Sequence, residues 1–114
     1  MKRFEIRYYS VEVQQEILAF PATIQARYIR YTDRMREFGA NLGMPHTEAF
    51  GDGLFELRLK GAEGAFRVFY CTQIGRKIVM LHSFVKKTQK TPKREKEIAI
   101  RRMQEVKDGT ATIA

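Results

Sequence analysis

A single cysteine, Cys71, leaves this 114-residue chain without an internal disulfide partner. Together with an N-terminus (Met1-Lys2-Arg3) that leads into alternating residues instead of an apolar stretch, this predicts no signal peptide and a reducing, cytoplasmic setting. No apolar run approaches the ~20 residues that cross a bilayer, so no membrane partner is expected. Cysteine and histidine never cluster at zinc-binding spacing. Gly51-Asp52-Gly53 has neither the length nor the following helix of a phosphate loop or dinucleotide fingerprint. Neither a metal nor another cofactor is therefore expected. The length fits one domain over residues 1–114, because a second would be too small to bury a core of its own.

What the chain has in excess is positive charge. Lysine and arginine number 21 against 13 acidic residues, a net charge of +8, and the surplus is uneven. Residues 86–114 hold nine basic and four acidic side chains, whereas residues 1–85 hold twelve and nine. A concentrated surplus suits a polyanion, because each neutralised phosphate releases condensed counterions.

Phe4-Glu5-Ile6-Arg7-Tyr8 alternates as a half-buried strand does. Ser10 can cap a short helix over Val11–Phe20, with Val13, Ile17 and Phe20 on its apolar side. Pro21 breaks that helix and begins another, along which Ile24, Tyr28, Tyr31, Met35 and Phe38 form an apolar stripe up to Gly39. Core is the favoured reading of both tyrosines and a base-stacking platform the other, and Arg27, Arg30, Arg34 and Arg36 lie mostly off the stripe. Gly39–Gly53 shows no sustained period and reads as a loop. Leu54–Lys60, Ala65–Thr72 and Lys77–Val85 read as three strands joined by the short connections Gly61–Gly64 and Gln73–Arg76, an antiparallel meander. The last strand is apolar at both parities and should be covered on both faces. Thr91-Pro92 predicts a helix start with Thr91 as N-cap and Pro92 in the first turn. Ala99, Met103 and Val106 line the helix, Asp108-Gly109 ends it, and the final residues should fray. The order is β-α-α-β-β-β-α, an α+β fold: a small antiparallel sheet, an N-terminal helical hairpin on one face, and a C-terminal helix.

The chemistry-bearing residues are cationic. Arg58 and Lys60 share one face of their strand with Glu56, so an ion pair along the strand is one reading and direct action on a ligand the other. Arg67 stands alone between Phe66 and Val68, a position tolerable only if it is paired or faces a cleft. Lys86, Lys87 and Lys90 gather where the last strand meets the last helix, and Lys93, Arg94 and Lys96 continue the cluster. Cations at a helix N-terminus oppose the macrodipole, so helix stability does not account for them; an anion site does. A ribonuclease-type pair is the less favoured reading of His46 and His82: His82, inside an apolar strand, reads as a hydrogen-bonded sheet histidine, His46 as exposed in its loop, and Cys71 as a small buried hydrophobe.

Three blocks carry a resemblance: Gly53-Leu54-Phe55-Glu56-Leu57-Arg58, then Phe66-Arg67-Val68-Phe69-Tyr70, then Leu81 to Pro92 with its Lys86-Lys87-Thr88-Gln89-Lys90-Thr91-Pro92 ending. In this order and spacing they resemble the phage-derived HigB-like branch of the RelE/ParE toxin superfamily, over about residues 20–106. The resemblance implies the toxin of a type II toxin–antitoxin pair, usually acting on mRNA in the ribosomal A site. It further implies a cognate antitoxin, of helix-turn-helix type in this branch, and hence a hetero-oligomer. RNA cleavage needs no metal when the 2′-OH attacks its own phosphate. Arginine suits the phosphorane charge, and lysine can exchange protons where other cations crowd it. The expected catalytic residues are Arg67 with Lys86 or Lys87; Arg58, Lys60, Lys90, Lys93 and Arg94 are expected to hold RNA phosphate. Residues 86–107 contain no aromatic side chain, a departure from the RelE pattern, whose tyrosine near the final helix stacks on a base. A gyrase-inhibiting ParE-like toxin and a non-catalytic RNA-binding relative are the alternatives.

Overall fold

The computed structural model describes residues 3–73 and 75–114. Met1, Lys2 and Ile74 of the Gln73–Arg76 connection lie outside them. The elements are β1 (Glu5–Tyr8), α1 (Val11–Leu18), α2 (Ala22–Phe38), β2 (Thr47–Gly51), β3 (Leu54–Gly61), β4 (Gly64–Gln73), β5 (Lys77–Lys86) and α3 (Lys93–Asp108). The fold is α+β, a five-stranded sheet in the order β1-β5-β4-β3-β2.

Two expectations about the sheet are corrected. The sheet is mixed, because β1 runs parallel to β5, with Ile6 opposite Ile78; alternation tells which residues of a strand are buried, not which strand it joins. The segment Gly39–Gly53 is also not all loop, since β2 pairs antiparallel with β3 from Thr47↔Leu57 to Gly51↔Leu54. Only Thr47 in β2 is fully buried, so the segment carries no apolar period and its strand state comes from the ladder.

Helices cover both faces. Ser10 caps α1, its hydroxyl accepting from the Val13 N–H at 3.2 Å, and the helix ends at Leu18, two residues short of expectation. Ile17 of α1 and Ile24, Tyr28 and Met35 of α2 pack on Leu57, Leu59, Val68, Tyr70, Ile78 and Met80. Tyr70 donates to the Ala40 carbonyl at 2.6 Å, and burial raises its hydroxyl above the ordinary tyrosine range. The centre of the α2 stripe runs through Ile24, Tyr28, Thr32 and Met35. Tyr31 and Phe38 fall to one side of it at about 100° per residue. Phe38, expected in the core, is 72% exposed, and Tyr31 is only half-buried.

On the opposite face Ala99, Met103 and Val106 of α3 pack on Leu54, Phe69, Cys71, Val79 and Leu81. This bears out the reading of β5 as covered on both sides. Cys71 is buried, and burial pushes its thiol up to about 11. Gly109 ends α3 in the left-handed conformation that glycine adopts without strain. The last residues do not fray as expected. The Ala114 N–H donates to the Tyr8 carbonyl at 2.7 Å and its carbonyl accepts from the Tyr8 N–H at 2.9 Å, satisfying groups on the free edge of β1.

The α3 start is also corrected. Pro92, not Thr91, occupies the N-cap position and no side chain caps the helix. The Thr91 hydroxyl instead donates across the structure to Glu56 Oε2 at 2.9 Å.

Candidate functional site

Strand register places the cations. Arg58 lies opposite Arg67, and Lys60 opposite Ala65, on the β3–β4 ladder. With Glu56 they project to the α3 face, because Leu57, Leu59, Phe66 and Val68 take the other. On β5 the alternation would carry Lys86 away from them. A bulge intervenes: Tyr70 pairs with Met80 but Phe69 with His82, leaving Leu81 as the extra residue. Past it, Phe84 lies opposite Arg67 and Lys86 opposite Ala65. One inserted residue thus turns Lys86 onto the face that carries Arg67 and Lys60.

The α3-side cluster runs along this face from Leu54, Cys71 and Val79 through Phe69 and Leu81 to Phe84, and Lys60, Ala65 and Lys86 lie beyond it. Two hollows lie there. One, of about 330 Å³, sits where β3 runs on beyond β2 and is lined by Arg27, Tyr31, Pro45, His46, Arg58, Lys60 and Arg67. The other, of about 450 Å³, is lined by Lys60, Ala65, Arg67, Lys86, Lys87, Thr88 and Gln89. Lys60 and Arg67 belong to both, so the two form one basic cleft centred on Arg67.

A carboxylate lies under the cleft. Glu56 is fully buried. Its Oε1 stands 3.4 Å from Arg58 Nε and 3.8 Å from Arg67 Nε, while Oε2 accepts from Thr91. One buried side chain therefore joins β3, β4 and the start of α3. Arg58 also pairs with Glu48 of β2, so its guanidinium is divided between two carboxylates. Arg67 is held more loosely. Its Nη1 donates to the Phe66 carbonyl at 3.2 Å, and its buried Nε has no hydrogen-bond partner. Burial lowers the Arg67 guanidinium from its ordinary value and Glu56 opposes that shift. Its side chain retains 12% exposure, toward the cleft. Among the described residues the Phe66 carbonyl is the one hydrogen-bond acceptor its terminal nitrogens have, so these nitrogens are the donors left for a ligand in the cleft.

The other expected site residues separate into two groups. Lys86 is half-buried and Lys87 exposed, both on the cleft. Lys90, Lys93 and Arg94 are exposed and line neither hollow; they extend the basic surface past it. Lys96 stands 4.7 Å from the centre of the Phe50 ring, a cation–π contact that fastens α3 to β2. His82 is hydrogen-bonded as expected, its Nε2 2.6 Å from Glu95 Oε1. His46 is not simply exposed: it is half-buried, its ring 4.8 Å from that of Tyr31. The two histidines share neither hollow. The sequence alone does not assign Arg27, Tyr31, His46, Glu48 or Thr91 to the site; Arg27 is marked only by lying off the apolar stripe of α2, and Tyr31 only by the less favoured base-stacking reading.

Residues 15–104 match the profile of a protein family described as phage-derived protein Gp49-like (DUF891). The chain belongs to that family. No curated protein matches it. The matched stretch runs from α1 into α3, so every residue lining the cleft of this Gp49-like protein falls within it. Among the described residues no group of acidic, histidine and cysteine side chains is arranged to hold a metal ion, and no helix is long and apolar enough to cross a membrane.

Proposed function

We propose that this Gp49-like protein is the toxin of a type II toxin–antitoxin pair, a ribosome-dependent endoribonuclease that cleaves mRNA by 2′-OH attack. The observation that carries this reading is the position of Arg67, at the junction of two cation-lined hollows and braced from below by a buried carboxylate. The three sequence blocks that resemble the HigB-like branch all contribute to it. Arg67 takes the charge of the phosphorane through paired N–H donors. Lys86, brought alongside by the β5 bulge, and Lys87 are the cations placed to move protons or neutralise the leaving oxygen. Arg58, tied to Glu48 and Glu56, aligns the site, and Lys60, Lys90, Lys93 and Arg94 receive the flanking phosphates.

Inducing the protein in cells without its antitoxin and mapping transcript 5′ ends tests this reading. The expected result is a set of new, codon-phased ends that disappear in the Arg67→Ala and Lys87→Ala variants. Growth arrest with intact mRNA and inhibited gyrase would place the protein with the ParE-like toxins. Absence of arrest would make it an RNA-binding relative.

The partner follows from the same surface. A helix-turn-helix antitoxin is expected to lay an acidic or extended segment over the cleft. In the complex, protection of Arg67 and Lys86–Lys90 from solvent, read by hydrogen exchange and covalent lysine labelling, is the expected outcome. Labelling of these lysines at the rate of the free protein would exclude direct blocking and leave steric exclusion from the ribosome.

A further inference from the structure

Residues 86–107 offer no ring on which a base can stack, yet the cleft has two rings elsewhere. Tyr31 and His46 are the aromatic side chains among the residues lining the two hollows. Their ring centres are 4.8 Å apart and their planes 44° from parallel. Both are half-buried, and among the described residues neither the Tyr31 hydroxyl nor the His46 ring nitrogens has a protein hydrogen-bond partner. Arg27 lies one turn before Tyr31 on α2, hence on the same side of the helix. Arg58, Lys60 and Arg67 form the opposite wall.

The segment carrying His46 is braced. Thr47 is buried. Its hydroxyl oxygen accepts from the Leu42 and Gly43 N–H groups at 3.1 and 2.9 Å. The His46 carbonyl accepts from the Arg58 N–H at 2.9 Å. His46 thus sits on a braced loop and Tyr31 on α2, both beside a charged wall. Their hollow, about 330 Å³, is at the lower end of the roughly 300–1,000 Å³ range of small-molecule sites. Rings at one end of a cleft and phosphate-binding cations at the other is the pattern that holds single-stranded nucleic acid.

We propose that the Tyr31–His46 pair is the nucleobase platform of this cleft, seating one unpaired RNA base while Arg27 and Lys60 hold its flanking phosphates and Arg67 the phosphate to be cut. The assignment rests on the nuclease reading above and adds its base subsite. It places the stacking group on the helical hairpin and the loop before β2, not on the C-terminal segment. Tyr31 supplies one ring from α2 and His46 the other from the loop before β2, and the two together close one end of the hollow, so loss of either ring should weaken stacking. The base is selected by its face, so all four bases should bind, larger purines more tightly.

The test uses the full-length protein and a single-stranded RNA hexamer with 2′-O-methyl riboses, which removes the attacking hydroxyl. One position carries 2-aminopurine, whose fluorescence falls on stacking. Wild type and Tyr31→Phe are expected to quench the probe and bind alike. Tyr31→Leu, which keeps apolar bulk against α2 but removes the ring, is expected to bind about tenfold more weakly. A hexamer abasic at the probe position should bind wild type about as weakly as the intact hexamer binds Tyr31→Leu, and should not distinguish the two proteins. Equal affinity of wild type for the intact and abasic strands, or equal affinity of wild type and Tyr31→Leu for the intact strand, would overturn the proposal, as would absence of binding by wild type. Cleavage is read separately on ribosome-bound mRNA. Loss of cutting in Arg67→Ala with undiminished cutting in Tyr31→Leu removes the platform and leaves the nuclease. No cutting by wild type removes the nuclease reading.

Discussion

Replacing Arg67 by alanine should lower single-turnover cleavage of ribosome-bound mRNA by roughly 10²–10³-fold, the usual loss when one pre-positioned donor to a transition-state charge is removed. Two features place Arg67 above the other cations. It lines both hollows, as Lys60 also does, and its guanidinium is not divided between two carboxylates as that of Arg58 is. The stability of the variant should fall much less than its activity, because Glu56 keeps Arg58 and Thr91 as partners. Arg67→Lys should recover only part of the rate. Lysine restores the charge but not the planar, two-pronged donor. Rate constants for the three proteins, measured with melting curves on the same preparations, check this. An Arg67→Ala variant within a few-fold of wild type would remove Arg67 from the chemistry.

Glu56→Gln should be the most destabilising single-atom exchange in the cleft. Removing one partner from a buried ion pair costs about 3–5 kcal/mol, because the remaining charge is left uncompensated. Here the lower end applies. Arg58 keeps Glu48, and the Arg58 and Arg67 side chains retain 25% and 12% exposure. About 3 kcal/mol in a domain of this size corresponds to a fall in Tm on the order of 10 °C. Glutamine is isosteric and still accepts from Thr91, so Thr91→Ala should cost less, about 1 kcal/mol. The Glu56→Gln and Arg67→Ala effects should also be non-additive, since the two residues share one network. Thermal and urea unfolding of the two single variants and the double variant measures both. Independent, additive losses would mean that Glu56 does not brace Arg67.

The elements with a strong apolar period were legible without coordinates. α2 announced itself by its stripe, and β3, β4 and β5 by alternation between short turns. Their boundaries fell within two residues of those observed. What was not legible lay in pairing. Nothing in Phe4–Tyr8 says that β1 joins β5 in parallel, and nothing in Thr47–Gly51 separates a strand from a loop, because β2 owes its state to the β3 ladder. Register hid the site in the same way. Glu56, Arg58 and Lys60 could be placed on a common face from spacing alone, but Arg67 joins them only through the β3–β4 register. Lys86 reaches that face only through the bulge at Leu81, which no local pattern marks. Thr91 shows a related failure. A threonine before a proline reads as a helix cap, and here its hydroxyl goes instead to a carboxylate 35 residues earlier. Tyr31 fits the stripe and so reads as core, yet it sits at the stripe's margin, where a helix passes from core to cleft.

On the proposed reading, an Arg67-centred cleft cuts RNA by attack of the substrate's own 2′-OH. The chemistry of the product ends tests it most directly. Purified ribosomes carrying an mRNA with a labelled A-site codon would be mixed with excess protein, and both fragments resolved and their termini identified. Attack by the 2′-OH leaves a 2′,3′-cyclic phosphate, or the 3′-phosphate that forms when it opens, on the upstream fragment and a 5′-hydroxyl on the downstream one. Those ends, absent with Arg67→Ala and absent when the scissile ribose is 2′-deoxy, are the predicted result. A 5′-phosphate and 3′-hydroxyl, undiminished cutting at the 2′-deoxy position, or an intact message under conditions where the protein arrests growth would contradict the account.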